Sequence, residues 1–175
     1  MKRLLFPMLI ANAVIILSLN SGLKNPPNEN EHVCTIGHTD PTGPCYNLDV
    51  VLNGNVKEKQ FGFIKFRQNP DTARIITLET SVVNLLPNHE YLLQRAVDAA
   101  NVVDGNCTST TWLTLGKGLT PQSILTDAHG SGSEVLWRDV TSAPRGASFD
   151  IHFQVVDATS MAVVLTSNCY QYTVR

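Results

Sequence analysis

His152 heads the residues in this chain whose chemistry and setting suggest a site. It lies in GASFDIHFQVVD, Gly146 to Asp157. With a period of two, Phe149, Ile151, Phe153 and Val155 fall on one face, and Asp150, His152 and Gln154 on the other. That is a half-buried β-strand with an imidazole on its wetter side. Such a ring can ligate a metal, serve as a general base, or be an ordinary polar residue, and its neighbours decide which. A second group gathers in HVCTIGH. His32, Cys34 and His38, with Cys45 beyond, are the donor types of a zinc site. Their spacing matches no strong zinc pattern, and a disulfide is the competing use of the thiols. His89 and His129 are further imidazoles that nothing in the sequence ties to either group.

Other candidates carry less. Ser131 and Ser133 in HGSGSE lack the G-x-S-x-G frame of a nucleophile elbow and read as a flexible glycine turn. Asp139, Asp150 and Asp157 read as solubilising charges at strand edges rather than an acid/base pair. Asn106-Cys107-Thr108 fits the N-glycosylation sequon. Trp112 and Trp137 suit either a ligand platform or simple packing. No catalytic residue is assigned.

The elements that must hold these side chains read as strands broken by turn residues. YNLDVVLN runs into Asn53–Gly54, and QFGFIKFR into Asn69-Pro70-Asp71. ARIITLETSVVN, EYLLQRAV, TWLTLG, SEVLWRDV, SFDIHFQVV, MAVVLTS and CYQYTV follow, rich in β-branched and apolar residues. LLQRAVDAANVV alone has helical propensity. Many short strands at regular spacing predict an all-β domain, an antiparallel sandwich or barrel, over residues 46–175.

Two segments precede it. MKRLLFPMLIANAVIILSLNSG sets Lys2 and Arg3 before the apolar run Leu4 to Leu19, the build of a secretory signal peptide over residues 1–21. The run is 16 residues, short of the roughly 20 that span a membrane. An uncleaved anchor is the alternative, and no membrane span is expected in the mature chain. Residues 22–45 form an extended, proline-rich lead-in.

With 43% apolar and 16% charged residues in a chain of 175, the composition fits one globular domain rather than a disordered chain. Lys2 and Arg3 leave with the signal, so the formal charge of −2 becomes −4. A weakly acidic chain without a basic cluster is a poor partner for nucleic acid or an anionic membrane. A protein or surface ligand is the expected partner. Four cysteines behind an export signal predict two disulfides and a secreted or periplasmic location. Their spacing leaves three connectivities open.

Several stretches, in order, resemble the copper/zinc superoxide dismutases. YNLDVVLNGNVKEKQFGFIKFRQ is similar to that family's opening hairpin with its G-x-I-x-F-x-Q strand. SVVNLLPN stands where the family has V-x-G-L-x-P-G. SILTDAHGSGSEV resembles its N-I-x-A-D-x-x-G-x-A stretch, and GASFDIH has the spacing of its G-R-x-L-V-V-H-E strand. LTSNCYQYTV resembles the closing R-L-A-C-G-V-I strand. The resemblance implies a Greek-key β-sandwich or barrel of superoxide-dismutase-like fold, with Cys107 paired to Cys169 and Cys34 to Cys45. Fibronectin-like sandwiches, which share an L-x-P-N-x-x-Y turn, are the competing architecture.

The resemblance does not extend to the chemistry. The family's H-x-H copper pair aligns with Leu93 and Arg95, neither of which ligates copper. CTSTTWLTLGKGLTPQSILT, where the bridging and zinc ligands belong, has no histidine and no acid. Thr166 stands where the family has its substrate-steering arginine. Of the whole constellation only His152 keeps a ligand type, a weak metal candidate. The expectation is therefore a secreted, non-enzymatic module with a dismutase-like fold, acting in binding or structure and without a cofactor. The alternative is a metal-binding protein or weak dismutase with a remodelled copper or zinc site.

Overall fold

The structure, a computed structural model, describes residues 33–34, 44–54 and 59–175. The signal-like segment and most of the lead-in, with His32 and His38, lie outside the described residues. Everything described is strand, turn or loop. Strands β1 (Val33–Cys34), β2 (Asn47–Gly54), β3 (Phe61–Gln68) and β4 (Ile75–Val83) come first, followed by β5 (Glu90–Val97). Four short strands follow, β6 (Leu113–Thr114), β7 (Gly116–Lys117), β8 (Thr120–Pro121) and β9 (Ser123–Leu125). The chain ends with β10 (Gly132–Asp139), β11 (Ser148–Asp157), β12 (Val163–Ser167) and β13 (Tyr170–Thr173). LLQRAVDAANVV is therefore strand and loop, not helix. Cross-strand pairing with β11 outweighs its modest helical propensity, and Tyr91 and Leu93 are buried by it.

These strands form one sheet in the order β6-β5-β11-β12-β2-β3-β4-β10-β7-β8, nearly closed into a barrel. β1 pairs with β2, β13 with β11, and β9 with β5. The gap narrows where Gly132 of β10 packs on the Leu125 carbonyl of β9, so close that a Cβ would stand 2.6 Å from the oxygen. The sheet is mixed rather than purely antiparallel, which corrects the expectation. The stub β1 runs parallel to β2, and β7 meets β10 in parallel at Lys117–Trp137. Both are too short to carry a sequence signature of direction. All the long strands pair antiparallel.

Period-two alternation decides what goes inside. In β3, Gly62, Ile64, Phe66 and Gln68 are buried while Phe61 and Lys65 face out. Phe66 is buried inside the barrel, edge-on to Tyr172 at 4.9 Å and to Phe153 at 6.3 Å between ring centroids. The turn into β5, NLLPNHEY, uses left-handed Asn84 and Asn88 (φ +59° and +50°) and closes when the Leu86 N–H donates to the Tyr91 hydroxyl at 3.0 Å. Both expected disulfides form, Cys34–Cys45 and Cys107–Cys169. Among the described residues no helix is long and apolar enough to cross a membrane.

Candidate functional site

His152 lies on β11 opposite Ala96 of β5, and the next pair along the same face is Gln154 with Gln94. The Gln154 amide donates to Gln94 Oε1 at 2.7 Å, and Gln94 Nε2 donates to Thr114 Oγ1 at 3.1 Å. The β5 residues sharing the face of His152 are thus Gln94 and Ala96. Leu93 and Arg95 point to the opposite, inward side. Neither pair offers an imidazole. The His152 ring is itself engaged: Nε2 donates to the Ser109 carbonyl at 2.9 Å, and the ring lies against Trp112 at 4.6 Å.

The polar face of β11 is not a wet face, contrary to expectation. Residues 98–112 fold over it and supply polar partners. Asp150 is fully buried, and its Oδ2 accepts the Asp104 and Gly105 N–H groups at 2.9 and 2.8 Å. Gly105 takes φ +78° to aim its amide there. Asp98 accepts N–H groups from Thr108 and Ser109 and the Thr108 hydroxyl. Those bonds, the Thr108 N–H first, hold its carboxyl below the ordinary range, with a smaller contribution from the nearby His152. Cys107 and its bridge to Cys169 pin the same segment. His152 and Asp150 are therefore clasps for a covering loop.

The other candidates resolve in the same way. Cys34 and Cys45 are joined, so their sulfurs are not zinc thiolates. Asp157 is no loose edge charge either: Oδ2 lies 2.5 Å from His89 Nε2, and Oδ1 accepts the Thr159 and Ser160 N–H groups at 2.9 and 2.8 Å. The Ser160 N–H and then the His89 bond pull its carboxyl down to about 2. The HGSGSE stretch wraps round Asp127, whose carboxylate accepts the His129 and Ser131 N–H groups. Trp112 serves the His152 clasp, and Trp137, 39% exposed, covers Gly118. Asn106 of the sequon is exposed. Among the described residues no three His, Cys, Asp or Glu side chains gather where they could hold a metal.

One concavity was not anticipated. The end of the barrel holds a cavity of about 110 Å³, floored by Phe66, Leu78, Leu115 and Phe153 and rimmed by Val97, Ala143 and Phe149. Arg95 and Arg138 line it too, both only half-buried. The sequence carried a signal for this: in EYLLQRAV, period two puts Arg95 in line with Tyr91, Leu93 and Val97, and in SEVLWRDV it puts Arg138 in line with Leu136. A charge in core register marks an inward guanidinium.

Comparison with protein families, with curated proteins and with solved structures finds no match for this chain.

Proposed function

We propose that this chain is an exported, non-enzymatic binding module with a Greek-key, superoxide-dismutase-like barrel and no copper/zinc site. The observation that carries the reading is the environment of His152. Its ring is committed to the Ser109 carbonyl and to Trp112, and its neighbours across the sheet are Gln94 and Ala96. Those residues do not fit a copper ion, which needs several imidazoles about one point. The strand order supports the Greek key. β4 neighbours β10 rather than β5, β5 lies beside β11, and β12 lies beside β2. The turn ending at Tyr91 is equally at home in other sandwiches, so the adjacency carries more weight than the turn. Two disulfides suit an oxidising compartment, which supports export.

The test is metal content and superoxide removal by the purified oxidised protein after incubation with copper and zinc. The expected result is no stoichiometric copper and no activity above free metal, in the wild type and in His152→Ala alike. Stoichiometric copper with activity that disappears in His152→Ala would overturn the proposal in favour of a remodelled metal site.

A further inference from the structure

The cavity at the barrel end has an unusual charge for a chain that is acidic overall. Two of the seven arginines line it and two more lie near one of its lining residues. Arg95 and Arg138 line it, while Arg74 and Arg175 stand near enough for their charge to act on the hydroxyl of Tyr172, which is also in the lining. Three of the four have neutral partners. Arg74 donates to the Thr141 carbonyl at 3.0 Å and to the Ala143 carbonyl. Arg138 donates to the Gly118 carbonyl at 3.2 Å, and Arg175 lies 4.5 Å over the Tyr46 ring. Arg95 has no hydrogen-bond partner among the described residues, and none of the four reaches a carboxylate within ion-pair distance there. Asp139 is the acid that the charges of Arg74 and Arg138 do reach.

Two like charges held together at the mouth of an apolar hollow repel, and partial burial deprives them of the water that would screen them. Burial first, and the charge of Arg138 second, lower the pKa of the Arg95 guanidinium from its ordinary value. An anion placed between them offsets both costs. Guanidinium suits this role because its planar fork grips a carboxylate through two parallel N–H bonds. The hollow behind is lined by aromatic and aliphatic side chains and has room for about one aromatic ring or a short alkyl chain.

We propose that this barrel end binds a small amphipathic monocarboxylate, its apolar body in the cavity and its carboxylate between Arg95 and Arg138. This deepens the binding-module reading and rests on it. The ligand enters past Val97, Ala143 and Phe149, which are half-buried and form the rim. Phosphate or sulfate alone leaves the apolar floor unfilled, and a neutral aromatic leaves the guanidiniums unpaired. Affinity therefore requires both halves of the molecule.

The test is a titration of the oxidised protein with phenylacetate and with its neutral isostere phenylacetamide, followed by heteronuclear NMR. Phenylacetate is expected to bind about tenfold or more tighter than phenylacetamide, with shifts concentrated at Val97, Ala143 and Phe149. Arg95→Gln should erase that preference and leave phenylacetamide unchanged. Ala143→Phe, which plugs the rim and keeps both guanidiniums, should weaken both ligands. Equal affinities, no saturable binding, or shifts on another surface would overturn the proposal, and the wild-type comparison requires no variant to fold. Copper binding at His152, which lies on the opposite face of β11, would leave these shifts in place, so the two proposals fail separately.

Discussion

Asp157 illustrates what a residue does beyond its sequence pattern. In the strand alternation it looked like a solubilising charge. In the fold it holds His89 with one oxygen and the β11–β12 turn with the other. Its carboxyl is pulled from an ordinary 3.8 to about 2, so the ionised form is favoured by folding. That contribution is complete above pH 4 and is lost as the pH falls from about 4 to about 2. Asp157→Asn should therefore lower the thermal midpoint at neutral pH and flatten its acid limb. Wild type and variant should converge near pH 2 in a series of melts. A variant that keeps the full acid limb would assign it to other carboxylates. Side assignment was legible at this scale: Phe149, Ile151 and Phe153 do face inward and His152 outward. Depth was not legible, because a period of two names the face of a strand and says nothing about what later covers it.

What covers β11 is the 98–112 segment, and its behaviour belongs to the element scale. In DAANVVDGNCTSTTW the start reads with helical propensity, the end as the opening of the TWLTLG strand, and the middle has no periodicity, so its covering role could not be read locally. Its polar residues are spent on Asp98, Asp150 and His152, contacts that join positions up to 46 apart in sequence. Asp150→Ala removes the acceptor of two N–H groups of this exposed segment, which then turn to water instead of to β11. It should release this segment first. Hydrogen exchange and proteolytic cleavage within 98–112 should rise strongly while β2, β3 and β4 stay protected. Uniform loss of protection across all strands would show that Asp150 holds the whole sheet instead. The turn before β10 gives a second test. Gly130 has φ +75°, and a Cβ there would lie 2.1 Å from the Leu85 carbonyl, which belongs to the turn before β5. Gly130→Ala should cost more than about 2 kcal/mol in a chemical melt, since strain and overlap add. An unchanged midpoint would mean the two turns move apart freely.

At the scale of the molecule, most of the long strands were legible as separate runs, and their order was not. Pairing β4 with β10 and β5 with β11 joins segments separated by dozens of residues, and no local pattern encodes that choice. The cysteines report it, because Cys107 and Cys169 meet only when the loop after β5 lies beside the turn between β12 and β13. The bridge closes 62 residues, and in the loop-entropy picture that stabilises the fold by about 4 kcal/mol. Cys34–Cys45 closes 11, for about 3 kcal/mol in the same picture. Cys34 is buried, yet β1 holds only two residues against β2, so what this bridge secures is the short lead-in. Replacing both Cys107 and Cys169 by alanine should lower the thermal midpoint by about 10 °C, given a domain of this size. The Cys34→Ala, Cys45→Ala pair should lower it less. Calorimetry of the two double variants beside the wild type, without reductant, makes the comparison. A larger drop for the 34–45 pair would mean that the lead-in, rather than the loop over β11, is what the barrel depends on.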